Sequence, residues 1–330
     1  MAVHRGCRFE NGSLGMEMCR GKERLVAIVG PTAVGKTALA VRLCTDLQGE
    51  IISADSRQIY RYMDIGTAKA SVEERSLVPH HLVDIVSPDE PFTLAQYQSL
   101  AYRAIDGVLA RGRVPFLVGG AGLYVKAVLD GLEIPRVPPN PAVRADLRER
   151  AEREGPLSLH AWLAQVDPQA AAGIDARNTR RVIRALEVYL MTGQPISRLQ
   201  QACPPPYRTM QVGLTMPRPV LYRRVDERIE WMLEQGLVDE VRALLEMGYS
   251  ADLPSLSGVG YRQIIRYLRR EIDLAEAVRQ MKRATRRFVR QQYTWFRLND
   301  HEIQWFDVGR GLDEAYPQVR EAVERYLAQG

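Results

Sequence analysis

One run of residues in this chain has the spacing to hold a phosphate: Gly30-Pro31-Thr32-Ala33-Val34-Gly35-Lys36-Thr37. Glycines let the backbone wrap an anion, and successive amides then point inward at it. A helix starting at the end of the run adds roughly half a positive charge from its N-terminus. Lys36 would neutralise the outer phosphate, and Thr37 would offer its hydroxyl to Mg2+. The pattern specifies a di- or triphosphate and no particular nucleotide; the bland alternative is a glycine-rich turn that binds nothing. The second residue of interest is Asp55, which ends the apolar run Glu50-Ile51-Ile52-Ser53-Ala54-Asp55. An aspartate at the carboxyl end of a strand beside a phosphate loop can accept a proton from an acceptor substrate. It could equally cap its own turn with Ser56. The partners of an ordinary nucleoside triphosphatase are not evident, because the strand Val114-Pro115-Phe116-Leu117-Val118 runs into Gly119-Gly120 rather than into an aspartate.

These residues need a sheet to place them. Leu25–Val29 is a short apolar run ending at a glycine, which suits a buried parallel strand. A helix is predicted over about 36–47, a strand ending at Asp55, and another over His81–Val86. A helix from about Thr93 to Ala110 puts Leu94, Tyr97, Ala101, Ile105 and Val108 on one face. Strand 114–120 leads into a helix near 123–129. Short strands alternating with helices mean βαβ units. Pro135, Pro138, Pro139 and Pro141 then break the pattern, and everything up to Pro204–Pro206 reads as helix. After it come a returning strand (Met210–Met216), long helices, a last strand (Glu302–Val308) and a closing helix. The expected architecture is α/β: a P-loop NTPase-like parallel sheet flanked by helices, with an all-helical insertion. The expected division is a disordered tail over 1–22, a core over 23–130 and 206–330, and an insertion over 131–205.

Composition narrows the classes. Of 330 residues, 46% are apolar and 26% charged, which is globular rather than disordered. No uncharged apolar run is long enough for a membrane span, and the first residues lack the apolar core of a signal peptide. Cys7, Cys19, Cys44 and Cys203 are scattered, which argues against a zinc site or a disulfide framework and fits a cytoplasmic protein. The net charge of +5 hides an asymmetry: Val259–Asp300 holds eleven Lys/Arg and four Asp/Glu, a local +7. That points to a polyanionic partner. On a helical projection Arg279, Lys282, Arg283, Arg286, Arg287, Arg290 and Arg297 fall within an arc of about 140°, opposite Ala277, Met281, Phe288 and Trp295. The central arc has no acids at i±4 to relieve the repulsion. Phosphate contacts from such a stripe position RNA without reading it, while bases are read from an unpaired loop. Tyr60, Tyr124 and Tyr261 could stack on bases, though core packing suits each as well.

The phosphate run, Asp55-Ser56-Arg57-Gln58-Ile59-Tyr60 and Met63-Asp64-Ile65-Gly66-Thr67-Ala68-Lys69 together resemble the tRNA dimethylallyltransferase family. Gly119-Gly120-Ala121-Gly122-Leu123-Tyr124, Arg184-Ala185-Leu186-Glu187-Val188, Val259-Gly260-Tyr261-Arg262-Gln263 and Thr294-Trp295-Phe296-Arg297 extend the resemblance in order over about residues 24 to 300. It implies that the exocyclic amine of the adenosine just 3′ of a tRNA anticodon attacks the first carbon of dimethylallyl diphosphate, and that diphosphate leaves with Mg2+ bound. The phosphate loop, Gly30 to Thr37, would then hold a leaving group rather than ATP. Carried over, Asp55 is the general base, with Thr32 also in the catalytic set. In Leu221-Tyr222-Arg223-Arg224-Val225 the family pattern selects Arg224 to stabilise the departing diphosphate, a task suited to its planar fork. The tRNA anticodon stem-loop would meet Asp55-Ser56-Arg57-Gln58, Arg180-Arg181-Val182-Ile183-Arg184, Ser257-Gly258-Val259-Gly260-Tyr261-Arg262 and Arg286-Arg287-Phe288-Val289-Arg290-Gln291-Gln292-Tyr293, with single contacts at Arg144 and Ala121. Two positions depart from the family: Ala121 stands where threonine is common, and Val289-Arg290-Gln291-Gln292 replaces an Ala-Lys-Arg-Gln run. The expectation is a monomer with tRNA and dimethylallyl diphosphate as partners, Mg2+ as cofactor and no membrane. A small-metabolite or nucleoside kinase would share the loop and Asp55 but leave the arginine stripe unused. A transferase acting on free adenine nucleotides, or an RNA-binding protein with a vestigial loop, are the other readings.

Overall fold

A computed structural model of the chain describes residues 23–135, 137–200 and 207–329. The expected tail, 1–22, lies outside the described residues. The chain opens with β1 (Arg24–Val29), α1 (Lys36–Leu47), β2 (Gly49–Ser53), α2 (Val72–Leu77), β3 (His80–His81), α3 (Leu94–Ala110), β4 (Val114–Gly119) and α4 (Gly122–Leu129). Five helices follow: α5 (Pro141–Glu154), α6 (Pro156–Val166), α7 (Pro168–Gly173), α8 (Thr179–Thr192) and α9 (Ile196–Leu199). The chain then returns as β5 (Arg208–Thr215), α10 (Arg218–Glu234), α11 (Leu237–Glu246), α12 (Tyr261–Leu268), α13 (Leu274–Trp295), β6 (Ile303–Asp307) and α14 (Leu312–Ala328).

The six strands form one parallel sheet in the order β3-β2-β4-β1-β5-β6. Helices cover it, so its central strands are apolar on both faces: Leu25 to Val29, Phe116, Leu117, Val212 and Leu214 are all buried. Burying each large apolar side chain contributes about 1.5–3 kcal/mol before the entropy of ordering is set against it. β4 lies between β1 and β2, with Val29 level with Gly119 on one side and Ser53 level with Val118 on the other. Counted on in the same register, Gly30 and Asp55 both come level with Gly120, one strand to either side.

Two compact units divide the chain. One holds the described residues up to Pro91, Ala101–Val125 and those from 207 onward; the other holds Phe92–Leu100 and those from Lys126 to 200. The second unit therefore begins a few residues before the expected 131 and also takes in a separate stretch. Prolines open α5, α6 and α7, where the missing N–H costs nothing. Leu147, Leu159, Leu163, Val182, Leu186 and Val188 form its core. At its heart Glu187, 0% exposed, receives a bidentate pair from Arg144, a bond from Arg184 and the backbone N–H of Asn140. Burial alone would raise the Glu187 pKa, but these donors outweigh it and hold the carboxyl at about 2.

One expected strand is wrong. Of His81–Val86 only His81 joins the sheet, in β3 with His80, where the two pair with Ile52 and Ile51; Val86 makes an isolated parallel bridge to Tyr60. Beyond that the backbone turns through left-handed conformations at Leu82 (φ 62°) and Asp84 (φ 57°). Local polar groups pull the segment out of register: Asp84 takes the buried Lys69 ammonium and the Arg75 guanidinium, and its own N–H donates to the carbonyl of Gln58. Among the described residues, no helix is long and apolar enough to cross a membrane.

Candidate functional site

The phosphate loop leaves β1 at Gly30, whose φ is 140°. A Cβ there would lie 2.6 Å from the Leu214 carbonyl oxygen of β5, so only glycine permits the turn. Gly35 (φ 104°) is the N-cap of α1 and supplies no side-chain cap, so the first-turn amides of the helix remain available to an anion. Lys36 folds back, and its Nζ donates to the Pro31 carbonyl at 2.7 Å. Burial drives the Lys36 pKa down and the charge of Arg228 lowers it further, while Asp55 acts the other way; the ammonium is held at about 7.

Asp55 follows β2, which is locked to β4 by the Ala54 N–H donating to the Val118 carbonyl at 2.7 Å. One carboxylate oxygen, Oδ1, accepts the Arg57 N–H at 2.8 Å. The turn-capping role therefore exists alongside any other, and it fixes the carboxylate with its second oxygen unspent among the described residues. Both the loop and Asp55 line a cavity of about 440 Å3, together with Gly119, Gly120, Arg224 and Arg228. A second cavity of about 330 Å3 shares Thr32, Ala33, Asp55 and Arg228 with the first and is walled by Val225, Ile229, Met232, Val259, Met281 and Phe288. Asp55 thus sits where a charged chamber meets a more apolar one.

Sequence reading selected Arg224 from α10 and missed Arg228, one turn later. Both line the first cavity, and Arg228 alone of the two reaches the second. Burial lowers the Arg228 pKa and Asp55 opposes that shift, so the two charges sense each other. The i,i+4 spacing from Arg224 was the available signal.

The residues assigned to RNA divide sharply. Ser56, Ala121 and Ser257 to Tyr261 line the second cavity beside Asp55. Arg57 also lines it, but its guanidinium is spent on the carbonyls of Pro254 and Ser255 and on the Ser257 hydroxyl. Gln58 accepts from Ser53 and donates to the carbonyls of Thr67 and Ala68. Tyr261 is buried, with its hydroxyl on Glu240 and its ring against Gly66, where a Cβ would lie 2.6 Å away. Core packing is also the fate of Tyr60. In the helical unit Arg180 and Arg181 are exposed, but Val182 and Ile183 are core residues. Arg144 and Arg184 serve Glu187. Arg262 is exposed.

The basic stripe of α13 needs two corrections. Its buried line is Ala277, Met281, Val289 and Gln292, whereas Phe288 is 42% exposed and faces the second cavity. Nor is the stripe uniformly unrelieved. Glu276 takes Arg279 and Arg283, and α10 sends Glu230 to Lys282 and Asp226 to Arg286. Acids on another helix are invisible to a single-helix projection. Arg287, Arg290 and Arg297 remain exposed without an ion pair among the described residues, and Arg290 only touches the Tyr222 hydroxyl at 3.3 Å. Gln291 is exposed, and Tyr293 bonds its hydroxyl to Thr215.

Comparison with known proteins bears on this arrangement. The IPP transferase family model matches residues 58–299, and the isopentenyl transferase model matches residues 23–78. A tRNA dimethylallyltransferase of Dehalococcoides mccartyi is 51% identical over 93% of this chain and 93% of its own length. Another, from Roseiflexus sp., is 56% identical over 83% of this chain and 90% of its own. A solved tRNA isopentenylpyrophosphate transferase from Bacillus halodurans is 43% identical, superposes with a TM-score of 0.68, and covers 92% of this chain and 96% of that one.

The depressed Lys36 pKa has a measurable consequence. The folded chain lacks a proton that the unfolded chain carries between pH 7 and 10.5, so this lysine makes stability rise with pH across that window. A bound diphosphate restores the charge, so binding at pH 8.5 should take up a proton. Calorimetry in two buffers of different ionisation enthalpy should find that uptake in the wild type and a smaller one in Lys36→Met; equal uptake in both would remove Lys36 from the anion site.

Proposed function

The chain belongs to the IPP transferase family, whose relatives named above are tRNA prenyltransferases, and from that premise we propose how its own residues carry out the transfer. The donor is dimethylallyl diphosphate, and the acceptor is the N6 amine of the adenosine just 3′ of the anticodon in a tRNA. The amine attacks the first carbon of the prenyl chain, the carbon–oxygen bond to diphosphate breaks, and the N6 proton passes to Asp55. Gly30 to Thr37 receive the diphosphate. Lys36, Arg224 and Arg228 balance the charge that develops on it as it leaves, an electrostatic contribution that is largest in a chamber shielded from water. The observation that carries this reading is that Asp55 and Arg228 each border both chambers, so base, leaving-group cation and loop converge on one junction. The apolar wall of Val225, Ile229 and Met232 suits a five-carbon chain and the face of a purine. An adenine reaching that junction must leave its stack, which costs a few kcal/mol and less for a loop base.

Among the described residues no group of three or more His, Cys, Asp or Glu side chains could hold a metal ion. Mg2+ itself keeps several waters and is bound largely through substrate phosphates. Thr37, which lines the first cavity, would hold it, and Mg2+ would supply charge neutralisation to the diphosphate. We further propose that the chain works as a cytoplasmic monomer, its RNA face running along Arg287 and Arg290 toward the second cavity.

Incubation with labelled dimethylallyl diphosphate, Mg2+ and either tRNA or AMP tests the assignment. Label should enter tRNA and not AMP, and Asp55→Ala should slow single-turnover transfer by ~10²–10⁴-fold while tRNA affinity holds. Label on AMP alone, or an undiminished Asp55→Ala, would contradict it. The double reversal Arg287→Glu/Arg290→Glu should weaken tRNA binding and reduce its dependence on salt by roughly two counterions. A salt slope equal to that of the wild type would take α13 out of the RNA interface.

A further inference from the structure

Gln292 lies on α13 within the stretch that sequence reading gives to RNA, yet it is only 3% exposed. Its Oε1 accepts the Thr32 N–H at 2.9 Å, and its Nε2 donates to the Gly120 carbonyl at 3.0 Å. The two partners fix the orientation of the amide, since a backbone N–H can only donate and a carbonyl can only accept. Thr32 belongs to the phosphate loop, and Gly120 directly follows the strand that separates the loop from Asp55. Pro31 has no N–H, so Thr32 offers the first backbone donor after Gly30 by which this turn can be tethered. The adjoining Pro31 carbonyl is the one Lys36 uses.

The space around Gly120 shows how closely these groups meet. A Cβ on Gly120 would lie 2.4 Å from Gln292 Nε2, 3.3 Å from the Gly30 oxygen and 3.4 Å from Lys36 Nζ. The glycine is therefore what admits the amide of Gln292 to the base of the cradle. Arg290, two positions earlier and about 160° round the helix, points the other way.

We propose that Gln292 is a positioning residue for the diphosphate site, holding the turn of the phosphate loop to the end of β4, and that it makes no contact with RNA. This inference rests on the reading that the cradle takes the donor's diphosphate. It gives α13 two jobs on two faces: exposed arginines outward, and one buried amide inward that sets the loop from which Lys36 projects.

The test separates donor from acceptor. Gln292→Met keeps much of the volume and removes both bonds. Gln292→Glu keeps an acceptor for Thr32, loses the donor to Gly120 and adds a negative charge beside the diphosphate. Inorganic diphosphate binding is read by calorimetry, tRNA binding by fluorescence, and KM is measured for each substrate. Gln292→Met should weaken diphosphate binding and raise the KM for dimethylallyl diphosphate about tenfold, as loss of buried hydrogen bonds would. Gln292→Glu should do so more strongly, and tRNA affinity should stay within about twofold for both. A residue with only a general structural role would not move the two substrates so unequally. Wild-type diphosphate affinity in the variants, or a fall in tRNA affinity as large as the fall for diphosphate, would overturn the proposal. If Gln292→Met does not fold, the same comparison on Gln292→Glu decides. A wild type that binds diphosphate but transfers no label to tRNA would fail the functional reading while leaving this inference intact.

Discussion

The site depends on one constraint of the sheet: β4 runs between the strand that leads into the phosphate loop and the strand that leads to Asp55. Adjacent strands lie about 4.8 Å apart, so the ends of β1 and β2 are separated by about 10 Å with the end of β4 in the gap. Whatever follows β4 must leave that gap clear. Gly119 cannot carry a side chain, because a Cβ there would come within 2.1 Å of the Ala54 carbonyl oxygen. At Gly120 a Cβ would fall 2.4 Å from the Gln292 amide and 3.3 Å from the Gly30 carbonyl oxygen, so a side chain there would displace Gln292. An aspartate presented from this point would therefore have to push Gln292 out of its place. The carboxylate comes from β2 instead, level with Gly120, across from the start of the phosphate loop.

Electrostatics follow from that geometry. Lys36, Lys69, Arg224 and Arg228 line the first cavity against Asp55, Glu74 and Glu227, a small positive excess that suits an anionic ligand. Burial and Arg228 press the Lys36 ammonium toward neutrality, and Asp55 is too weak an opponent to restore it. Arrangements of this kind are poised for a ligand that brings negative charge with it and takes the charge away when it leaves. On the proposed reading, the meeting of a polar and an apolar chamber at Asp55 would give each half of a prenyl diphosphate its own surroundings.

The strongest local signals in the sequence survive in the structure. Gly30 to Gly35 lies between β1 and α1, with Lys36 and Thr37 opening the helix as the motif requires, and the apolar runs of β1, β4 and β5 are buried sheet strands. Asp55 lies beside the loop, although nothing in its own neighbours says so, because the parallel crossover that brings β2 alongside β4 is a property of topology. Long-range polar contacts were less legible. His81–Val86 reads as a short, largely apolar run, but Asp84 answers to Lys69 and Arg75, which the run itself does not reveal. The arginines of α13 look unopposed until α10 supplies Asp226 and Glu230. Gln292 looks like an RNA-facing donor until the phosphate loop is folded beneath it. Arg144 and Arg184 likewise turn inward to a glutamate in the core of the helical unit. A family motif marks a residue as necessary without saying which side of its helix it serves.

The central claim is that one junction holds the cradle, the aspartate and an extruded adenine at the same time. It is tested most directly by a crystal structure of the chain with an anticodon stem-loop and a non-hydrolysable thio analogue of dimethylallyl diphosphate. The account predicts the diphosphate group in the loop from Gly30 to Thr37, the adenine N6 within about 3 Å of an Asp55 oxygen and about 3–3.5 Å from the first prenyl carbon. An adenine bound away from Asp55, or a diphosphate seated outside the loop, would contradict it.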